Sequence, residues 1–127
     1  MNLNQLTIQS NDVKKSVQFY QSLGLKLIVL SASRYARFEC PDGDSTFSIH
    51  HTDLTISPSS WIYFECDNLE KTYNDLLALG IKFEHPPKNQ DWLWKEARLR
   101  DPDGHQIILY HAGENRKNPP WRLKSET

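Results

Sequence analysis

Cysteine is scarce in this chain: Cys40 and Cys66 are the only two among 127 residues. So few, so far apart, exclude a disulfide framework or a zinc knuckle. A cytoplasmic protein with reduced thiols is the expectation. Neither sign of charge dominates, with Lys+Arg at 15, Asp+Glu at 16 and a net charge of −1. Such balance leaves no electrostatic footprint for DNA, RNA or an anionic membrane. Long hydrophobic runs are missing too. The stretch around Leu25 to Leu30 is much too short to span a bilayer. The opening Met1-Asn2-Leu3-Asn4 has neither the charged nor the apolar region of a signal peptide. What is present is the composition of an ordinary globular protein, 38% hydrophobic and 24% charged, at a length that suits one domain.

An internal repeat organises the chain. Asn11–Leu27 aligns without a gap with Asp67–Phe83, bringing Leu23-Gly24 onto Leu79-Gly80, Lys15 onto Lys71 and Lys26 onto Lys82. Tyr35–Gly43 (YARFECPDG) aligns with Glu96–Gly104 (EARLRDPDG), after a somewhat longer connection in the second copy. Two matches in the same order point to a tandem duplication, with units at about 2–52 and 58–111 and a polar tail at 112–127. Each unit reads as strand, helix, then three strands. Residues 3–9 alternate, Leu6 and Ile8 against Gln5, Thr7 and Gln9, as a half-buried strand does. Asn11 or Asp12 is placed to cap a helix with Val13, Val17 and Tyr20 on its apolar face, and the second copy repeats this with Leu69, Tyr73 and Leu76. Gly24 and Gly80 fall where each helix must stop. Further strands are expected near 25–31, 33–40 and 44–51, and near 81–85, 94–100 and 105–111. Pro-Asp-Gly at 41–43 and 102–104 supplies the turns between the last two strands.

Two βαβββ units, the stretch Asp-x-x-x-Ser-x-x-Phe-Tyr-x-x-x-Leu-Gly from Asp12 to Gly24, and Arg-Asp-Pro-Asp-Gly-His from Arg100 to His105 resemble the vicinal-oxygen-chelate superfamily. That group includes glyoxalase I, the bleomycin-resistance proteins and the extradiol dioxygenases. The resemblance covers about residues 2–111. It implies an α+β fold in which two antiparallel sheets curl around a cavity with helices outside, and often a homodimer. It leaves the chemistry open, because this fold hosts lyases, isomerases, dioxygenases and metal-free binding proteins.

Metal-dependent members place ligands on the first and last strand of each unit, where His, Gln or Glu supply lone pairs. Strand alternation puts Gln5, Ser48, Trp61 and Ile108 at these positions. Indole and isoleucine side chains coordinate nothing, so the expectation is no metal and no cofactor. A register counted from the Pro-Asp-Gly turns differs by one residue, pairing His50 with His111 and Phe47 with Ile108. The run Ile107-Ile108-Leu109 does not discriminate between the two.

The same alternation nominates a cavity lining of Gln5, Thr7, Tyr35, Arg37, Ser48 and His50 from the first unit. From the second come Trp61, Tyr63, Glu65, Glu96, Arg98, Ile108 and Tyr110. Flat rings and two guanidinium groups suit a small planar or anionic organic ligand, since rings stack and Arg clamps a carboxylate or phosphate. Alternatively Arg37 with Glu96, or Arg98 with Glu65, neutralise each other, and the rings fill space.

Three readings follow, and no catalytic residue is assigned. In the first the protein is a metal-independent small-molecule binder similar to the bleomycin-resistance branch. In the second it is a superfamily enzyme with a divalent metal at a displaced site of Gln5, His50 and Glu65, His50 serving as ligand or base. In the third it is a dimeric interaction module that docks through the loop Glu84–Trp94 and the tail segment Asn118–Arg122. Cys66, at the end of a strand beside a helix N-terminus, has two readings, a nucleophile or, the commoner role, a buried structural cysteine. Sequence leaves open whether the cavity closes within one chain or across a dimer.

Overall fold

A computed structural model describes residues 1–124; the end of the expected tail, 125–127, lies outside the described residues. The order of elements is β1 (Gln5–Ser10), α1 (Val13–Ser22), β2 (Lys26–Ser31), β3 (Tyr35–Glu39) and β4 (Thr46–His51), then β5 (Trp61–Glu65), α2 (Leu69–Ala78), β6 (His85–Asn89), β7 (Lys95–Arg100) and β8 (Gln106–His111). A short 3₁₀ turn follows at Gly113–Arg116. This is α+β architecture made of two βαβββ units, each with its own four-stranded sheet, ordered β1-β4-β3-β2 and β5-β8-β7-β6.

The local reasons repeat between the units. The Asp12 carboxylate accepts the Lys15 N–H at 3.1 Å, and the Asn68 side chain does the same for Lys71 at 3.1 Å, capping α1 and α2. Gly24 and Gly80 follow the helices at φ +100° and +87°, left-handed conformations that cost glycine little.

The expected antiparallel sheets prove to be mixed. β1 runs parallel to β4, and β5 to β8, while the other pairs are antiparallel. The cause is topological: α1 carries the chain back, so β2 starts in the direction of β1, and the β2-β3-β4 meander returns β4 in that same direction.

The sixth strand also lies later than expected. It occupies His85–Asn89, within the stretch read as a loop, and residues 81–84 are irregular. Pro86 and Pro87 are tolerated there because β6 is an edge strand paired only with β7, with a register shift between His85 and Lys88.

Two compact units divide the chain. The first comprises Met1–Ser60 together with Asp101–His105. In its core Val13, Val17 and Tyr20 of α1 are buried, as are Phe38, Phe47 and Ile49, and the Tyr20 and Phe47 ring centroids are 4.6 Å apart. The turn Asp101–His105 is built into this unit by hydrogen bonds. The Tyr20 hydroxyl donates to Asp101 at 2.6 Å, the Ser16 hydroxyl to Asp103 at 2.9 Å, and the His105 ring meets the Gln9 carbonyl at 2.7 Å. Burial beside Asp101 pushes the Tyr20 phenol far above its ordinary range. The second unit comprises Trp61–Arg100 and the residues from Gln106 on. It buries Ile62, Leu69, Leu76, Ala97, Leu99 and Ile107.

Candidate ligand-binding faces

The register settles which side chains share a face. β3 pairs Arg37 with Ser48 and Tyr35 with His50, whereas β7 pairs Arg98 with Ile108 and Glu96 with Tyr110. Ser48 and Ile108 are therefore equivalent, as alternation indicates, and the count from the Pro-Asp-Gly turns is one residue out. The turn Cys40–Ser45 is one residue longer than Asp101–His105, and this shifts the count. In each sheet one face holds the apolar core residues, and the other carries the side chains nominated from sequence.

On the first unit this second face is polar. Ser48 is fully buried. Its hydroxyl accepts a hydrogen bond from the Gln5 amide at 2.6 Å and meets the Tyr35 hydroxyl at 2.8 Å. The Gln5 amide oxygen accepts from the Thr46 hydroxyl, and its nitrogen also donates to Thr7 at 3.2 Å. The Arg37 Nε donates to the Tyr35 oxygen at 2.8 Å. These donors lower the Tyr35 phenol below its usual range, the Ser48 hydrogen bond first and Arg37 after it, against slight burial. Thr46, which the sequence reading left out, shares the face by the same alternation. His50 is exposed, its ring centroid 6.4 Å from that of Tyr35.

The displaced metal site does not assemble. Gln5 stands beside Thr46, and His50 beside Gln9. Four residues of strand separate the two positions, about 13 Å at ~3.3 Å per residue, too far for one ion. Glu65 is committed elsewhere in the second unit, accepting the Ala112 and Gly113 N–H groups at 2.8 and 2.9 Å. Burial raises its carboxyl, but those two bonds, with His111 and Arg116, outweigh it and hold the group below the usual carboxylate range. The superfamily positions fit a metal no better. Gln5 is spent in hydrogen bonds, Ile108 is fully buried, and Trp61 offers only an indole. Among the described residues no three His, Cys, Asp or Glu side chains are grouped to hold an ion.

On the second unit the face is aromatic. Trp94 stacks on Tyr110 at 4.7 Å between centroids and 21° between planes, and Tyr63 meets both edge-on at 5.8 and 5.5 Å. Ile108, Tyr110 and Ala112 form a small buried cluster with Trp94 against it. The Trp94 N–H donates to the Asn115 carbonyl at 3.2 Å, tying in the segment after β8. Glu96 is fully buried, and its two oxygens accept from the Trp92 N–H at 3.1 Å and from Arg98 at 3.2 Å. Arg98 thus pairs with Glu96, two residues away on the same strand face, and not with Glu65. Its guanidinium lies 4.9 Å from the centroid of Trp61, a cation–π contact. Trp61 remains 59% exposed and Tyr63 40%.

The remaining candidates are tied up or exposed. His51 pairs with Asp53 at 2.8 Å, and the His111 ring meets the Cys66 carbonyl at 2.9 Å. The Cys66 thiol meets the Phe64 carbonyl at 3.8 Å, and burial raises the thiol of Cys40. Of the tryptophans proposed for docking, Trp94 is packed inward while Trp121 is largely exposed. Pattern alone carried no signal for the bond between Trp92 and Glu96, because Trp92 lies outside any strand.

Comparison with known proteins agrees with this architecture. The family model described as Glyoxalase/Bleomycin resistance protein/Dioxygenase superfamily matches residues 2–109. The uncharacterized protein YraH of Bacillus subtilis (strain 168) is 31% identical over 125 residues, spanning 87% of this chain and 98% of that protein. A glyoxalase/bleomycin resistance protein/dioxygenase from Nocardioides has a similar structure, with a TM-score of 0.77 at 20% identity over 98% of this chain and 90% of its own. So does lactoylglutathione lyase from Agrobacterium tumefaciens, with a TM-score of 0.73 at 16% identity over 87% and 92%. At these identities the structural likeness speaks for the fold alone. No helix among the described residues is long and apolar enough to cross a membrane.

Proposed function

The chain belongs to the glyoxalase/bleomycin resistance protein/dioxygenase superfamily, and from that premise we propose that it binds a small planar organic molecule on the aromatic face of its second unit, without the superfamily's metal. One observation carries the reading. Trp61 and Tyr63, alternate residues of β5, stand exposed on one face, while Glu96 holds the Arg98 guanidinium beside the Trp61 ring. A large exposed ring costs hydrophobic free energy in water and is favoured where something covers it. Here the ring is also preorganised, since Arg98 is fixed by a buried carboxylate, so a flat ligand loses little entropy by ordering the protein. The charge of Arg98 is already matched by Glu96. This face therefore selects for planarity more than for anionic character. The scarcity of cysteine suits a reducing compartment such as the cytoplasm, and sizing of the protein at several concentrations tests the homodimer.

The experiment is a calorimetric titration with a panel of planar aromatic compounds, run in excess chelator and again after adding manganese, iron, nickel or zinc. Binding should persist in chelator, and Trp61→Ala should weaken it about tenfold, from the ~0.5–1.5 kcal/mol of a lost aromatic pair plus buried area. Binding that requires a stoichiometric divalent ion, or that survives loss of both Trp61 and Tyr63, overturns the reading.

A further inference from the structure

The hydroxyls of the first unit have a direction. The Gln5 amide nitrogen lies 3.4 Å from the Leu6 carbonyl and the amide oxygen accepts from Thr46, which fixes the amide: flipped, it would set two carbonyl oxygens against each other. The nitrogen therefore donates to Ser48. Ser48 is fully buried, so its own hydrogen needs an acceptor inside the protein, and the Tyr35 oxygen is there at 2.8 Å. Arg37 gives its Nε–H to the same oxygen. A phenol oxygen has two lone pairs, and both are now filled. The proton of Tyr35 must point away, and no further acceptor for it lies within hydrogen-bonding distance among the described residues of this unit. The Arg37 guanidinium also lies over the Tyr35 ring, 5.4 Å from its centroid. The residue is exposed, and among the described residues of its unit no carboxylate is found paired with its terminal nitrogens.

We propose that Tyr35 and Arg37 form an oxyanion-binding site on the first unit, in which the Tyr35 O–H and the terminal Arg37 nitrogens donate together to a carboxylate or phosphate oxygen. The relay from Gln5 through Ser48 polarises the phenol, so Tyr35 is a stronger donor than an isolated tyrosine. Arg37 supplies the charge and a planar pair of donors. The site deepens the small-ligand reading and rests on it for the ligand's other half, but its own chemistry is measurable without that ligand. Other groups beside Tyr35 are His50 on β4, Ser31 on β2 and Arg34 preceding it. None of these is a carboxylate that would compete for the anion.

The test follows tyrosine ionisation by ultraviolet absorbance in the intact protein. One of the five tyrosines should ionise below the ordinary range, and Tyr35→Phe should remove that step. Arg37→Met, at an exposed position that should not disturb folding, and Ser48→Ala should each move the step up. Sodium benzoate or inorganic phosphate, against chloride at equal ionic strength, should raise it as well, because the anion binds the protonated phenol. A response to benzoate alone identifies a carboxylate site, and a response to phosphate alone a phosphate site. If Tyr35→Phe leaves every step in place, or if neither anion moves the Tyr35 step, the site is overturned. Loss of the aromatic-face binding with this titration intact would reject only the planar-ligand reading.

Discussion

The two units of this chain share one skeleton and present opposite chemistry. Their helix caps, helix stops and core faces match position for position: Asp12 with Asn68, Gly24 with Gly80, Ala36 and Phe38 with Ala97 and Leu99. On the other sheet face the equivalents diverge. Tyr35 corresponds to Glu96 in the repeat, Ser48 to Ile108, and Gln5 and Thr7 to Trp61 and Tyr63. The first face is a chain of hydroxyls and amides ending at Tyr35, and the second is a wall of rings around one buried ion pair. The lesson concerns where physical constraint falls. Helix-facing positions must fill a close-packed interior, whereas the opposite face has only to satisfy its polar groups, which a Ser–Tyr pair and a Glu–Arg–Trp set both do.

The largest effect that would break the comparison is in the shared core. Phe38→Ala should cost about 3–5 kcal/mol and its counterpart Leu99→Ala about 2–5 kcal/mol, read from denaturant unfolding. If either is nearly neutral, the two cores are not equivalent. Next comes the pair that differs. Glu96→Ala strands Arg98 and the Trp92 N–H and should cost about 2–4 kcal/mol. Tyr35→Phe, at the equivalent position, leaves the buried Ser48 hydroxyl without its acceptor and should cost about 1–3 kcal/mol.

A third contrast appears on acidification. The carboxyl of Glu65 is held low in the folded state, so it contributes stability above the ordinary carboxylate range and loses it as pH falls through its own lower value. Its counterpart in the first unit is Gln9, which does not titrate. Trp94 fluorescence should therefore report loosening of the segment after β8 at acid pH, and Glu65→Gln should flatten that dependence. The smallest effect is at the turn between β2 and β3, where Ala32 and Ser33 have φ of +48° and +57°. Ser33→Gly should stabilise by about 1 kcal/mol, seen as a modest rise in Tm.

Much of this was legible in the residues. The repeat, the caps, the Pro-Asp-Gly turns and the period-2 alternation of β1 and β4 carried the fold. β8 was ambiguous because Ile107, Ile108 and Leu109 are all apolar, so no alternation marks a face; its pairing with β7 resolved it. The late position of β6 was hidden because Pro86 and Pro87 read as loop chemistry, and only an edge strand accepts them. The joining of Gln5 with His50 failed for a geometric reason. Alternation tells which face a residue is on but not how far along the strand it lies. Partnerships such as Trp92 with Glu96 depend on where a loop folds back, and pattern does not encode that.

The turn Asp101–His105 gives the first unit a history. During synthesis Met1–Ser60 is made well before Asp101, and at about 5–20 residues per second the wait is roughly 2–8 s. For that interval the Tyr20 hydroxyl has no Asp101 to accept its hydrogen bond, and the Gln9 carbonyl has no His105. The nascent first half is thus an unfinished fold, waiting on residues encoded near the other end. Cutting the gene at the repeat boundary would yield a fragment short of its keystone. The duplication that is so plain in the sequence has become a chain whose halves are no longer interchangeable parts.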